Sequence, residues 1–127
     1  MQRIGRETLN HITSAVSTGA YSGNPFVLYF GAPWCGMCKS MKPVLESLDV
    51  KYPNVDIHHF EFGDNLDEIK SDIDECIARL VPDTLTSLPF LIYVPKRTCD
   101  VPSEKEKPTT SHFLMQTMLE KRIQSLV

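Results

Sequence analysis

The chain has 127 residues, 42% of them hydrophobic and 23% charged, and carries a formal net charge of −3. That is the length of one domain, residues 1–127, able to bury a core without staples. The charge is too mild to argue for nucleic acid or an anionic membrane surface as partner. No segment reaches the roughly 18 consecutive apolar residues of a membrane span, and the first residues hold no apolar run of the kind a secretory leader carries. The expectation is a reducing, cytoplasmic setting, where cysteines are more often catalytic or metal-bound than structural.

In chain order, Leu9, Ile12 and Val16 recur at helical spacing in "ETLNHITSAV", and Gly19 closes that segment. After the turn "SGNP", the run "FVLYF" (26–30) is apolar throughout and reads as a buried strand of a parallel sheet. From Cys35 onward, Met41, Val44, Leu45 and Leu48 outline an amphipathic helix of about three turns. Pro43 lies inside it and removes one backbone donor, which predicts a kink. "VDIHHFEF" (55–62) is the next strand. Asn65 followed by Glu68 fits a capping box, and Leu66, Ile69, Ile73, Ile77 and Leu80 make the buried stripe of the helix it opens. The acids Asp64, Asp67, Glu68, Asp72, Asp74 and Glu75 read as that helix's solvated face. "FLIYV" (90–94) is a second apolar strand, and "TCDV" (98–101) is expected to fold back on it as a short antiparallel edge. "VPSEKEKPTT" reads as loop, after which Thr110 or Ser111 caps a last helix built on Phe113, Leu114, Met118, Leu119, Ile123 and Leu126. Strands alternating with helices in this way make an α/β layer with helices on both faces of a sheet.

The chemistry concentrates in "YFGAPWCGMCKSMKP" (29–43). Cys35 falls where the strand hands over to its helix, so unpaired amide N–H groups and the helix dipole stabilise a thiolate there. Three-residue spacing brings Cys38 onto the same face, within disulfide reach. Cys35 is then the exposed nucleophile and Cys38, further into the helix, the resolving thiol. Gly36 lets a partner's backbone approach, Trp34 offers a flat apolar surface, and Lys39 adds positive charge. A Cys-X-X-Cys also begins many zinc sites, but zinc needs four ligands, and Cys76 and Cys99 do not repeat the spacing. An inert structural disulfide closing so short a loop stabilises little. Cys76, among Ile73, Ile77 and Leu80, reads as a buried inert thiol.

"APWCGMCK" resembles the active-site stretch of the thioredoxin family, where thioredoxins read WCGPCK and protein disulfide isomerase domains APWCGHCK. Pro43 falls at the position of that family's helix proline, and "SLPF" resembles its cis-proline segment. The resemblance implies a thioredoxin fold: a central mixed sheet flanked by helices, with four strands, or five if one precedes the first helix. It implies a thiol–disulfide oxidoreductase that reduces protein disulfides through Cys35 and Cys38, with Trp34, Gly36, Met37, Leu88 and a cis Pro89 touching the substrate. Its partners would be disulfide-containing proteins and a reductase as electron donor, with no cofactor and no metal of its own. Two departures stand out. Met37 replaces the proline or histidine between the cysteines and leaves the direction of electron flow open. Tyr29 stands where the family has a buried carboxylate that takes the resolving thiol's proton, and a phenol of pKa about 10 cannot take it near neutrality. His59, where the family tends to place a lysine, is the substitute base, since an imidazole of pKa about 6.5 suits the task. The bland alternative keeps His58 and His59 as ordinary strand residues. A second class of function is a binding module of the same fold in which the thiols are incidental.

Overall fold

The computed structural model describes residues 1–63, 70–82, 85, 88–96, 108–111 and 116–126. Its elements run β1 (Gln2–Arg3), α1 (Arg6–Thr18), β2 (Phe26–Gly31), α2 (Gly36–Lys51), β3 (Asp56–Glu61), α3 (Lys70–Ala78), β4 (Phe90–Val94), β5 (Thr109–Ser111) and α4 (Gln116–Gln124). The five strands form one mixed sheet in the order β1-β3-β2-β4-β5. β1 and β2 both run parallel to β3, while β4 is antiparallel to β2, and β5 to β4.

The two central apolar runs became the two strands buried along their whole length, β2 and β4. Strands covered on both faces have no polar side to alternate with, which is why neither shows period-two patterning. α1 and α3 touch through Arg6–Asp72 at 3.1 Å, and Arg79, just past the end of α3, reaches Asn10. α2 and α4 touch through Lys51 and Tyr52, both of which reach Glu120. Leu9, Val16, Met41, Leu45, Leu48, Ile73, Ile77, Leu119 and Ile123 bury the helices' inner stripes against the sheet. Gly19 ends α1 at φ 78, a left-handed conformation open to glycine at little cost, and its N–H bonds to Ala15 and Val16 carbonyls.

Several expectations need correction. The sheet has its fifth strand, β1, in front of the first helix. At two exposed residues it is too short to carry any periodicity, and it exists because β3 presents a free parallel edge. β4's outer neighbour is Thr109–Ser111, drawn from the stretch read as loop and helix cap. Thr110 and Ser111 are strand residues there, held by a 2.7 Å bond between the Tyr93 and Ser111 hydroxyls. The expected edge "TCDV" lies outside the described residues, as do the Asn65–Glu68 capping box, Leu66 and Ile69, and Phe113 and Leu114. α2 is longer than expected, at 16 residues, and carries Pro43 inside it. Met118 faces solvent, leaving Leu119 and Ile123 as α4's buried contribution, with Leu126 buried just past its end. Nor is the acidic side of α3 merely solvated, because Asp74 accepts the backbone N–H of Leu85 at 2.9 Å.

Candidate active site

β2 delivers the motif. The strand ends at Gly31, and a turn over Ala32–Pro33–Trp34 closes with the Cys35 N–H bonding to the Ala32 carbonyl at 3.1 Å. Cys35 is then the N-cap of α2, with extended backbone at φ −89 and ψ 108. A sulfur takes the place usually filled by a serine or aspartate oxygen. Cys35 Sγ accepts the N–H of Cys38 at 3.2 Å, one of the orphan donors of the first turn. The two sulfurs are joined as a disulfide, with the Cα atoms 5.2 Å apart. Cys35 is 9% exposed and Cys38 4%, so the first sulfur is the more open of the two by a small margin and not the freely exposed group expected.

Around the disulfide the surface is apolar. Trp34 and Met37 are 52% and 53% exposed, high values for side chains of that size. Trp34 is held by its indole N–H, which donates to the Gly63 carbonyl at 3.0 Å. A Cβ built on Gly36 meets nothing within 4 Å, so the approach over the cysteines is open. Leu88–Pro89 is a cis peptide bond. Since β4 runs antiparallel to β2 with Phe30 opposite Phe90, residues 88 and 89 arrive at the end of the sheet where Cys35 begins α2.

Behind Cys38 lies a cleft of about 320 Å³ whose lining includes Tyr29, Cys38, Lys39, Lys42, His59 and Glu61. Tyr29 is buried and donates its hydroxyl hydrogen to the Cys38 carbonyl at 3.0 Å. Burial first, and the charge of Glu61 second, push its pKa up to about 12. It is therefore a peg under the first turn of α2 and no base at neutral pH. His59 pairs with Tyr29 across the strands, ring on ring at 4.8 Å. Burial lowers its pKa most, Lys42 and Arg3 push the same way, and Glu61 and Glu46 oppose them. His58 turns to the other face and packs edge-on against Phe26.

The structure thus brings Tyr29, Cys38, Lys39 and His59 to one cleft, with Trp34, Gly36 and Met37 around the disulfide. Gly31, Lys42 and Glu61 were missed by sequence reasoning. A Cβ on Gly31 falls 2.8 Å from the Tyr29 hydroxyl oxygen and 3.4 Å from Cys38 Cβ, so only glycine leaves room for that peg. Glu61 was findable: strand alternation puts it on the face of His59, two residues on. Cys76 is a buried free thiol elsewhere, 3.8 Å from an Arg79 guanidinium nitrogen. Among the described residues no cluster of His, Cys, Asp or Glu could hold a metal.

A disulfide between cysteines three positions apart at the head of a helix, on a sheet of this topology, is the arrangement of the thioredoxin fold. The family model for thioredoxin matches residues 9–96. Thioredoxin of Bacillus subtilis is 48% identical over 46 residues, 36% of this chain and 35% of that one. Human thioredoxin is 36% identical over 56 residues, 44% of this chain and 50% of its own length. The chain thus aligns with about a third to a half of those two relatives. Mitochondrial thioredoxin 3 from Saccharomyces cerevisiae, in its oxidised form, superposes with a TM-score of 0.65 at 22% identity, covering 99% of this chain and 95% of that one. That last likeness is one of fold. The chain belongs to the thioredoxin family.

Proposed function

We propose that the chain reduces protein disulfides, with Cys35 as nucleophile and Cys38 as resolving thiol. The observation that carries this reading is the N-cap geometry, in which Cys35 Sγ accepts an amide hydrogen at the positive end of α2. The same N–H and dipole stabilise a thiolate when the pair is reduced. Cys35 thiolate attacks one sulfur of a substrate disulfide, a Cys35–substrate bond forms, and the other substrate sulfur leaves as thiolate and takes a proton from solvent. Cys38 then gives up its proton and attacks Cys35 Sγ. The remaining substrate sulfur leaves as thiolate and is protonated in turn. Two electrons have passed to the substrate, and the Cys35–Cys38 disulfide is what the chain is left with.

In this reading Trp34, Gly36 and Met37 seat the substrate on one side, and Leu88 with Pro89 seats it on the other. Lys39 adds positive charge beside the thiolates. His59 is the base for Cys38, because Tyr29 holds its own proton to about pH 12 and both His59 and Cys38 line the cleft. A reductase in a cytoplasmic setting returns the electrons. Tyr29 in the place of a carboxylate is the observation that favours the second reading, a binding module with incidental thiols.

An insulin-reduction assay with dithiothreitol separates the two. The expected result is turbidity well ahead of reductant alone, abolished in Cys35→Ser. The Cys38→Ser variant is expected to accumulate mixed disulfides through Cys35. No acceleration by the intact chain, or trapping that survives loss of Cys35, would overturn the oxidoreductase reading in favour of the module.

A further inference from the structure

We propose that Glu61 is a positioning residue for the resolving step: across the cleft from Cys38 its carboxylate keeps His59 able to take up a proton, and Arg3 limits how strongly it does so. The inference rests on the reading of His59 as the base.

Three observations place these groups together. Glu61 and His59 sit two residues apart on β3, on the face that also carries Tyr29, and Gly31 is the strand partner of Glu61. Because position 31 has no side chain, the Tyr29 hydroxyl reaches the Cys38 carbonyl past it, and Cys38, His59 and Glu61 share one cleft with that phenol. At about 320 Å³ the cleft is roomy enough for water to bridge Cys38 and the imidazole. Finally, Arg3 lies opposite His59 in the β1–β3 pairing, and its guanidinium is 3.3 Å from the Glu61 carboxylate.

The charges around His59 explain why Glu61 is needed. β1 supplies Arg3, and α2 supplies Lys42 and Glu46, with Lys39 also on the cleft. β2 supplies the neutral phenol of Tyr29, and β3 supplies Glu61. An imidazolium formed there is desolvated, and Lys42 and Arg3 oppose it while Glu61 and Glu46 favour it, Glu61 more than any other charge. Glu61 is the carboxylate on its own strand face, and its field is what makes the protonated state reachable. Arg3 neutralises part of that field. When Cys38 loses its proton through water to His59, the imidazolium sits beside Glu61 until the leaving substrate thiolate or solvent takes the proton.

The test uses the full chain in two measurements. The first follows the His59 imidazole proton resonances against pH in the reduced protein, for wild type, Glu61→Gln and Arg3→Gln. The expected shifts are opposite in sign: downward without Glu61, upward without Arg3. The second is a single turnover with 5,5′-dithiobis(2-nitrobenzoate), in which the first thionitrobenzoate released reports attack by Cys35 and the second reports resolution by Cys38. Glu61→Gln is expected to leave the first phase unchanged and to slow the second about threefold at neutral pH, because a weaker base expresses only part of its lost strength in the rate. Glu61→Asp is expected to restore most of it. An unmoved His59 titration in Glu61→Gln, or a shift of the same sign in Arg3→Gln, overturns the role of Glu61. Should His59→Ala resolve as fast as wild type while the titrations move as stated, the base reading itself has failed. Arg3 is 72% exposed, so its replacement tests the proposal even if the Glu61 variants fold poorly.

Discussion

A Cβ at position 31 would stand 2.8 Å from the Tyr29 hydroxyl oxygen and 3.0 Å from the ring carbon bearing it. Neither atom is the loose end of a flexible chain, because the ring is buried and its hydroxyl is bonded to the Cys38 carbonyl. Gly31→Ala must therefore push the tyrosine off that carbonyl or push α2 off the sheet. The expected cost is about 1–3 kcal/mol by urea unfolding. Tyr29→Phe alone should cost about 0.5–1.5 kcal/mol, the worth of one buried hydrogen bond. Combined, the two are expected to cost less than their sum, since the phenylalanine removes the atom the new methyl meets. Strict additivity in the double-mutant cycle would show that the close approach is not what makes position 31 a glycine. At this scale the sequence announced Cys35, Cys38 and the oddity of Tyr29, because each stands at a fixed spacing from a motif. Gly31 and Glu61 carry no such marker; their meaning depends on which strand lies beside which.

Among the elements, legibility followed length and burial. α1, β2, β3 and β4 were all visible, since long apolar stripes or runs are dictated by what they must hide. β1 and β5 have two and three residues and were missed or misplaced, because strands so short are defined by the free edges of β3 and β4. α3 shows a second limit. Its acids looked alike in sequence, yet Asp72 pairs with Arg6 at 3.1 Å with both side chains more than half exposed, whereas Asp74 is half-buried and takes the N–H of Leu85. Exposed ion pairs contribute about 0–1 kcal/mol, and a hydrogen bond to a charged acceptor about 1.5–3. Asp74→Ala is accordingly expected to lower the urea midpoint clearly, and Asp72→Ala to leave it nearly where it was. Equal effects of the two would mean that the Asp74 bond contributes nothing beyond surface charge.

For the molecule as a whole, two adjacent histidines on β3 tie stability to pH. Burial lowers the pKa of both His58 and His59, so the folded chain resists charging them. In the unfolded chain they titrate near the ordinary value of about 6.5. Above that pH neither state is protonated and the full stability is present. As pH falls below it, the unfolded chain binds protons first, and stability drops until the folded pKa values are passed. The urea midpoint is therefore expected to be flat between about pH 7 and 8 and to fall from about 6.5 toward 5, less steeply in His58→Phe. A midpoint that stays level through that window would contradict the burial argument. The sheet's connectivity has another consequence. Cys35 leaves the top of β2 and Pro89 enters β4 at that same top, because the two strands are antiparallel neighbours. Everything between them, from the body of α2 through β3 and α3, departs from the sheet centre and comes back. Gly63, just past the end of β3, holds the Trp34 indole beside the disulfide, so a change on that excursion can recast the surface around the sulfurs while the sulfurs stand still.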